Sequence, residues 1–290
     1  MQGPIVSFHP MIDADRHILL VSRRALDRAD RLAVAGAAAV ILPQTPRPDV
    51  YELVAGLGKP HFPRAGVALS LDGKVGNLRL LTALGLPHPA SVAFAEVAAA
   101  VAAWRAGRPD VLALGRPVVV KGAGGGMGQN VFLVNDPDEL SALTPQVQTH
   151  SLHGPRGLVL QRFIDGGGAD LRVVLLGLRH EAYWRVAPSG QWRSNLSQGG
   201  QTLRDRRSAD MAQGVALARR LQRAAGLDMA GVDVLIPPGG QPLLLEINFY
   251  FGRGGLGGTA SFLELYLAAV GRWLAALGLD PGRARLCADD

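Results

Sequence analysis

A β-branched run, Pro117-Val118-Val119-Val120, ends in Lys121 and then in a loop that is nearly all glycine, Gly122-Ala123-Gly124-Gly125-Gly126-Met127-Gly128. The segment after this loop constrains the fold more than the loop itself. Gln129-Asn130-Val131-Phe132-Leu133-Val134 reads as a second strand and not as a helix. Nucleotide folds of the P-loop and dinucleotide types send their Gly-rich turn straight into a helix N-terminus, whose unpaired N–H groups hold the phosphate. This chain cannot use that device. The loop reads instead as the tip of a β-hairpin, where residues without a Cβ let backbone N–H groups close over an anion while Lys121 supplies charge. Taken alone, the same hairpin reads equally as an ordinary structural turn.

Lysine usage sharpens the reading. The chain has lysine only at Lys59, Lys74 and Lys121, against 27 arginines. A lysine kept in so arginine-rich a chain is a candidate for a site that needs a compact, rotatable ammonium and not a planar fork, with chance survival as the competing reading. Lys121 opens the glycine loop, and Lys74 opens a segment with Val75, Leu78, Leu81 and Leu84 at helical spacing.

A second constellation is acidic. Gly231-Val232-Asp233-Val234-Leu235 and Leu243-Leu244-Leu245-Glu246-Ile247-Asn248 read as strands joined by the turn Pro237-Pro238-Gly239-Gly240. Glu246 and Asn248 are two apart and so share a face, and pairing across the turn can bring Asp233 beside them. Three hard oxygen ligands converging on one point suit Mg²⁺. The competing reading is a solvated sheet face. Against it, Leu243, Leu244, Leu245 and Ile247 predict a strand buried on much of both faces, where unpaired carboxylates are costly.

The length of 290 residues and an apolar content of 48% suit a globular chain with a real core. The net charge of +6 suggests affinity for anions, but the arginines are scattered and only 6% of residues are aromatic. That pattern favours a phosphate-bearing small molecule over nucleic acid. A single cysteine, Cys287, and the absence of a signal-like N-terminus or an apolar run of about 20 residues predict a cytoplasmic protein without a membrane span. The oligomeric state is open. No nucleophilic triad or metal-type His/Cys cluster stands out.

The order Lys74, Lys121 with its glycine loop, Leu160-Gln161-Arg162-Phe163-Ile164, Asp170-Leu171-Arg172, and Gly231-Val232-Asp233 followed by Glu246-Ile247-Asn248 resembles the ATP-grasp superfamily. Within it, Arg193-Ser194-Asn195-Leu196-Ser197-Gln198-Gly199-Gly200 is similar to the signature of the RimK-type glutamate ligases, relatives of the glutathione synthetases. The resemblance covers roughly residues 72 to 258. It implies an α/β chain of α+β ATP-grasp type: an N-terminal α/β lobe over 1–70, a small lobe with the Gly-rich hairpin over 71–164, and a large lobe with the metal site over 165–290. It further implies ATP and Mg²⁺ (or Mn²⁺), with Lys74, Lys121 and the loop Gly124, Gly125, Gly126, Met127 and Gly128 on the phosphates. Gln161, Arg162, Phe163 and Ile164 would form the adenine-reading hinge, with Asp170 near the ribose and Arg172 near the phosphates. Asp233, Glu246 and Asn248 match the metal ligands, and Arg185, Arg193 and Asn195 would hold the transferring phosphoryl group or a substrate carboxylate.

The activity implied is ligation of a carboxylate to an amine, on small-molecule or peptide substrates, through an acyl phosphate. A phosphotransferase and a non-catalytic nucleotide-binding module are the alternatives. Two departures from the pattern stand out. Arg162 occupies a usually acidic hinge position, and Phe249-Tyr250-Phe251-Gly252-Arg253-Gly254-Gly255-Leu256-Gly257-Gly258 replaces a short Pro/Gly turn. Arg253 is there a candidate partner for a carboxylate or phosphate. The first strand ends at Ser7-Phe8-His9-Pro10, where open α/β sheets bind ligands.

Overall fold

The computed structural model describes residues 3–21, 24–124, 129–151, 154–189, 199–204 and 207–287. The chain begins with β1 (Ile5–Ser7), β2 (Ile12–Asp13), β3 (Arg16–His17), α1 (Arg28–Gly36), β4 (Ala39–Ile41), α2 (Pro48–Gly56) and β5 (His61–Phe62). A parallel sheet in the order β3-β1-β4-β5 results. β1 and β4 are buried at every position, as short apolar strands covered on both faces must be. A reciprocal cap starts α1: Asp27 accepts from the Asp30 N–H, and Asp30 accepts from the Asp27 N–H.

After α3 (Gly66–Leu71) and α4 (Gly73–Ala83) come β6 (Ser91–Phe94), α5 (Val97–Arg105), α6 (Pro109–Leu112), β7 (Val118–Gly122), β8 (Val131–Val134), α7 (Pro137–Ala142) and β9 (Leu158–Arg162). These strands make an antiparallel sheet in the order β6-β9-β7-β8. The glycine loop therefore does join two paired strands, with Lys121 opposite Val131. Asp136 caps α7 through the Asp138 and Glu139 N–H groups. One face of this sheet, with Phe94, Val118, Val120, Leu158 and Leu160, packs on Trp104 and its neighbours.

The third sheet contains β10 (Ala169–Leu176), β11 (Arg179–Val186), β12 (Gln201–Leu203), then after α8 (Ser208–Ala225) β13 (Met229–Leu235) and β14 (Leu243–Asn248). Its order is β12-β11-β10-β13-β14, all antiparallel. α9 (Thr259–Ala276) and β15 (Arg285–Leu286) end the described chain, and β15 pairs with β2.

Two features differ from the sequence expectation. β14 is an edge strand buried only at Leu244 and Ile247, not one buried on both faces. Its outward N–H groups are met from outside the sheet: Leu244 donates to the Pro87 carbonyl at 2.9 Å and Ile247 to Asn77 Oδ1 at 2.5 Å. α4 and the loop after it thus cover an edge that would otherwise invite pairing. Helical spacing over Ser261 to Leu277 alone predicts Phe262, Leu265, Ala269, Trp273 and Leu277 inward, whereas α9 buries Phe262, Leu263, Tyr266, Ala269, Val270 and Leu274, a rotated stripe. The reason is that α9 is packed from two sides, by Ile5, Ile41 and Phe62 of the first sheet and by Val174 and Leu176 of the third. Tyr266 is tolerated in that core because its hydroxyl donates to the Leu42 carbonyl at 2.5 Å.

Candidate active site

The two antiparallel sheets each turn one polar face toward the other. In the second sheet, Lys121 lies opposite Val159 and Val119 opposite Gln161, and all four are buried on the face away from the Trp104 core. In the third sheet, Asp170 lies opposite Arg185, Arg172 opposite both Tyr183 and Asp233, and Asp233 opposite Glu246. The intervening residues Leu171, Val173, Trp184, Val232 and Val234 fill the core on the α8 side. Strand alternation therefore sorts these charged side chains onto one face.

On β14 alternation alone would fail. A bulge between Asp233 and Val234 leaves Leu245 without a partner on β13, so Leu244 and Ile247 both reach the core while Glu246 and Asn248 share the opposite face. A single inserted residue re-aims the carboxylate, a common use of bulges beside functional sites.

Lys74, from the first turn of α4, completes the set. Its Nζ lies 2.9 Å from Glu246 Oε1. Burial works against the ammonium, but the charge of Glu246 and its hydrogen bond outweigh it and hold the Lys74 pKa above the ordinary lysine value. Asp233 is gripped by two guanidiniums: Arg172 donates through Nε and, at 3.1 Å, through Nη2, and Arg185 Nη2 stands 2.9 Å away. Asn248 Nδ2 adds a bond to Asp233 Oδ2 at 3.2 Å. Burial raises the Asp233 carboxyl, but Arg172 and Arg185 overcome it, so the pKa is lowered and the group ionised. Arg185 also forks onto Asp170, at 2.8 Å from Nε and through Nη2. Gly231 is required here for space, since a Cβ would sit 2.9 Å from Arg172 Nη1 and 3.1 Å from Phe251 Cβ.

Lys121 is different. It makes no hydrogen bond or ion pair with a described residue, and burial, helped by the Lys74 charge and opposed by Glu246, lowers its pKa to about 8. It lines a crevice with Lys74, Asn77, Leu78, Val159, Gln161 and Glu246, enclosing about 320 Å³ when space open to solvent is counted. The stem of the glycine loop is tied by Asn130, a residue that sequence reasoning missed. Its Nδ2 donates to the carbonyls of Gly124 and Gln148 at 2.8 Å, and its Oδ1 accepts from the Gln148 N–H at 3.1 Å. An asparagine next to a glycine loop was the available signal. Gly125, Gly126, Met127 and Gly128 lie outside the described residues, as do Arg193 and Asn195.

At the hinge, Gln161 lines the crevice, and Phe163 and Ile164 are half-buried in the link to β10. Arg162 does not join them. Its side chain is exposed and donates to the Ala113 carbonyl at 2.6 Å, and its N–H is taken by the Ala90 carbonyl. Any main-chain reading of a base there falls to Phe163 and Ile164. Arg253 also sits apart, with its guanidinium 4.4 Å over the Phe262 ring and beside the strand ends of the first sheet. There burial, with the charges of Arg253 and His17, lowers the pKa of His9 to about 4.

The donor set fits a divalent cation of the Mg²⁺ kind. Asp233 and Glu246 lie opposite in register with Asn248 on the same face, giving two carboxylates and an amide. Among the described residues no group of three or more His, Cys, Asp or Glu could hold a metal by itself. Two carboxylates are what Mg²⁺ uses when waters and phosphate oxygens complete its shell. Among the described residues no helix is long and apolar enough to cross a membrane.

Two antiparallel sheets closing on a lysine-lined crevice define the nucleotide clasp of ATP-grasp proteins, and the comparisons agree. Residues 88–259 match the model of the RimK-like ATP-grasp domain, and the chain belongs to that family. A "Probable alpha-L-glutamate ligase" of Parasynechococcus marenigrum is 33% identical over 144 residues, 49% of this chain and 29% of that protein. "Beta-citrylglutamate synthase B" of Danio rerio is 34% identical over 137 residues, 47% of this chain and 32% of its own. The chain thus spans about a third of the length of these relatives. Among solved structures, a RimK domain ATP-grasp protein from Sphaerobacter thermophilus superposes with a TM-score of 0.55 at 21% identity, over 90% of this chain and 97% of that one.

Proposed function

We propose that the protein is an ATP- and Mg²⁺-dependent carboxylate–amine ligase that works through an acyl phosphate. One observation carries this reading: ammonium groups from α4 and the second sheet meet a carboxylate of the third sheet at a single crevice, Lys74 touching Glu246 and Lys121 lining the same space. A carboxylate is a poor electrophile, and phosphorylating it creates a leaving group. The catalyst mainly has to offset negative charge as two anions meet. Lysines, arginines and a divalent cation suffice for that, without a nucleophilic side chain.

In this reading Lys121, Lys74 and the loop Gly124 to Gly128 hold the phosphates, and Gln161, Phe163 and Ile164 face the base. Asp170 serves the ribose side and Arg172 the phosphate side. Arg185, Arg193 and Asn195 orient the transferring phosphoryl group or the substrate carboxylate, and Arg253, although apart from the crevice, would meet a substrate anion. Asp233, Glu246 and Asn248 would hold Mg²⁺, which supplies Lewis-acid charge when bound. The division into lobes at residues 70 and 164 belongs to the same proposal. The names of the relatives favour amino-acid or peptide substrates.

The test is ADP release by the purified chain with Mg²⁺ and ATP over a panel of amino acids and small peptides, with mass spectrometry for the amide. Lys121→Ala and Glu246→Ala should each abolish substrate-stimulated release. Full nucleotide affinity and turnover in both variants would rule the reading out.

A further inference from the structure

The carboxylates assigned to the metal already have cations. Glu246 holds the Lys74 ammonium at 2.9 Å, and Asp233 is bonded by Arg172, Arg185 and Asn248. α4 fixes this arrangement at two points on one helical face. Lys74 reaches Glu246, and Asn77, three residues on, accepts from the N–H of Ile247, the residue between Glu246 and Asn248. Asn77 is deeply buried and its amide also approaches the Leu71 carbonyl, so it anchors α4 to the ligand strand while Lys74 covers the ligand.

We propose that Lys74 is a stand-in for the divalent cation at Glu246, so that the site takes metal only together with polyphosphate. The inference rests on the ATP reading above and adds an order to it. A divalent ion arriving alone must take Glu246 from a buried ammonium bonded to it at 2.9 Å and add positive charge to a crevice that already holds Lys121. A polyphosphate removes that obstacle: it offers Lys74 and Lys121 new anionic partners and frees Glu246 for the metal in the same event. Asn77 is the positioning residue, keeping Glu246 in place as its partner changes.

Calorimetric titration of the full chain with Mn²⁺ and with ADP tests this, with circular dichroism to verify that each variant is folded. Wild-type protein should show no Mn²⁺ site tighter than millimolar without nucleotide, and ADP should bind at least tenfold tighter with Mn²⁺ than in EDTA. Lys74→Met should gain at least tenfold in affinity for Mn²⁺ alone, and the gain should vanish in Lys74→Met/Glu246→Gln. Lys74→Arg, which keeps the cation, should stay as metal-poor as wild type. Tight Mn²⁺ binding to the wild type alone, within threefold of Lys74→Met, would overturn the proposal. Failure of ADP to bind under any condition would instead sink the ATP reading, and the Mn²⁺-only comparison would still decide the role of Lys74.

Discussion

Replacing Lys121 with methionine should stabilise the protein and cost it its nucleotide. Burial is the largest influence on this ammonium, and its pKa stands at about 8 against an ordinary 10.5. That difference corresponds to roughly 3 kcal/mol of preference for the neutral amine in the folded chain. The unfolded chain keeps its proton up to the ordinary value, while the folded chain gives it up near pH 8. Between those limits the unfolded state binds more protons and stability rises with pH; below pH 8 both states are protonated and the whole penalty is present. Methionine matches lysine in length and flexibility without the charge, so about 1–3 kcal/mol should be recovered at pH 7 after imperfect packing. At ~2–4 °C per kcal/mol for a chain of this size, Tm should rise by roughly 3–10 °C. The gap from wild type should close as the pH is raised from 8 to 10.5. Loss of a charged hydrogen bond to phosphate should weaken Mg·ADP binding about tenfold to a hundredfold. Thermal melts by circular dichroism from pH 7 upward and calorimetric titration with ADP read both effects. A lower Tm at pH 7, a gap indifferent to pH, or unchanged ADP affinity would each refute the reasoning.

Asp233→Ala should destabilise the fold by about 3–5 kcal/mol, because Arg172 would be left buried without its carboxylate while Arg185 would keep only Asp170, and urea denaturation measures the loss. Arg162→Ala should leave ADP affinity within about twofold, since that side chain is held outside the crevice by the Ala113 carbonyl; a loss of about tenfold or more would mean that the hinge moves when nucleotide binds.

Local chemistry made much of this legible from the chain alone. The hairpin around the glycine loop and the pairing of Asp233 with Glu246 both follow from side-chain period and turn residues, and both are present. The features that were not legible depend on partners remote in sequence. The leucines of β14 look the same whether a strand is central or at an edge, and only the position of α4 makes it an edge. The bulge at Leu245 leaves no mark in the residues themselves. One inward stripe was expected on α9, but two sheets press on it and the stripe widens and turns. Arg162 was suspect as a hinge residue on its charge, and the structure supplies the physical reason, a carbonyl at the C-terminal end of α6 that draws it outward.

The electrostatics of the crevice explain how so many charges can be buried together. Lys74, Lys121, Arg172 and Arg185 face Asp170, Asp233 and Glu246, so the cluster carries one net positive charge. Three of the four cations are committed to carboxylates, and the surplus falls on Lys121, the group whose proton is held least firmly. A polyphosphate brings several negative charges to a place prepared to absorb about one, and satisfying it must break existing pairs. Each pair broken leaves a carboxylate in a low-dielectric setting, where an uncompensated charge is expensive. In the proposed reading, a divalent cation held by Asp233 and Glu246 would be the compensation that lets arginine and lysine turn from carboxylate to phosphate. The two carboxylates serve the fold through Lys74, Arg172 and Arg185, and on that reading they would serve the metal when nucleotide is bound, so that acids at these positions would contribute to the stability of the chain as well as to its chemistry.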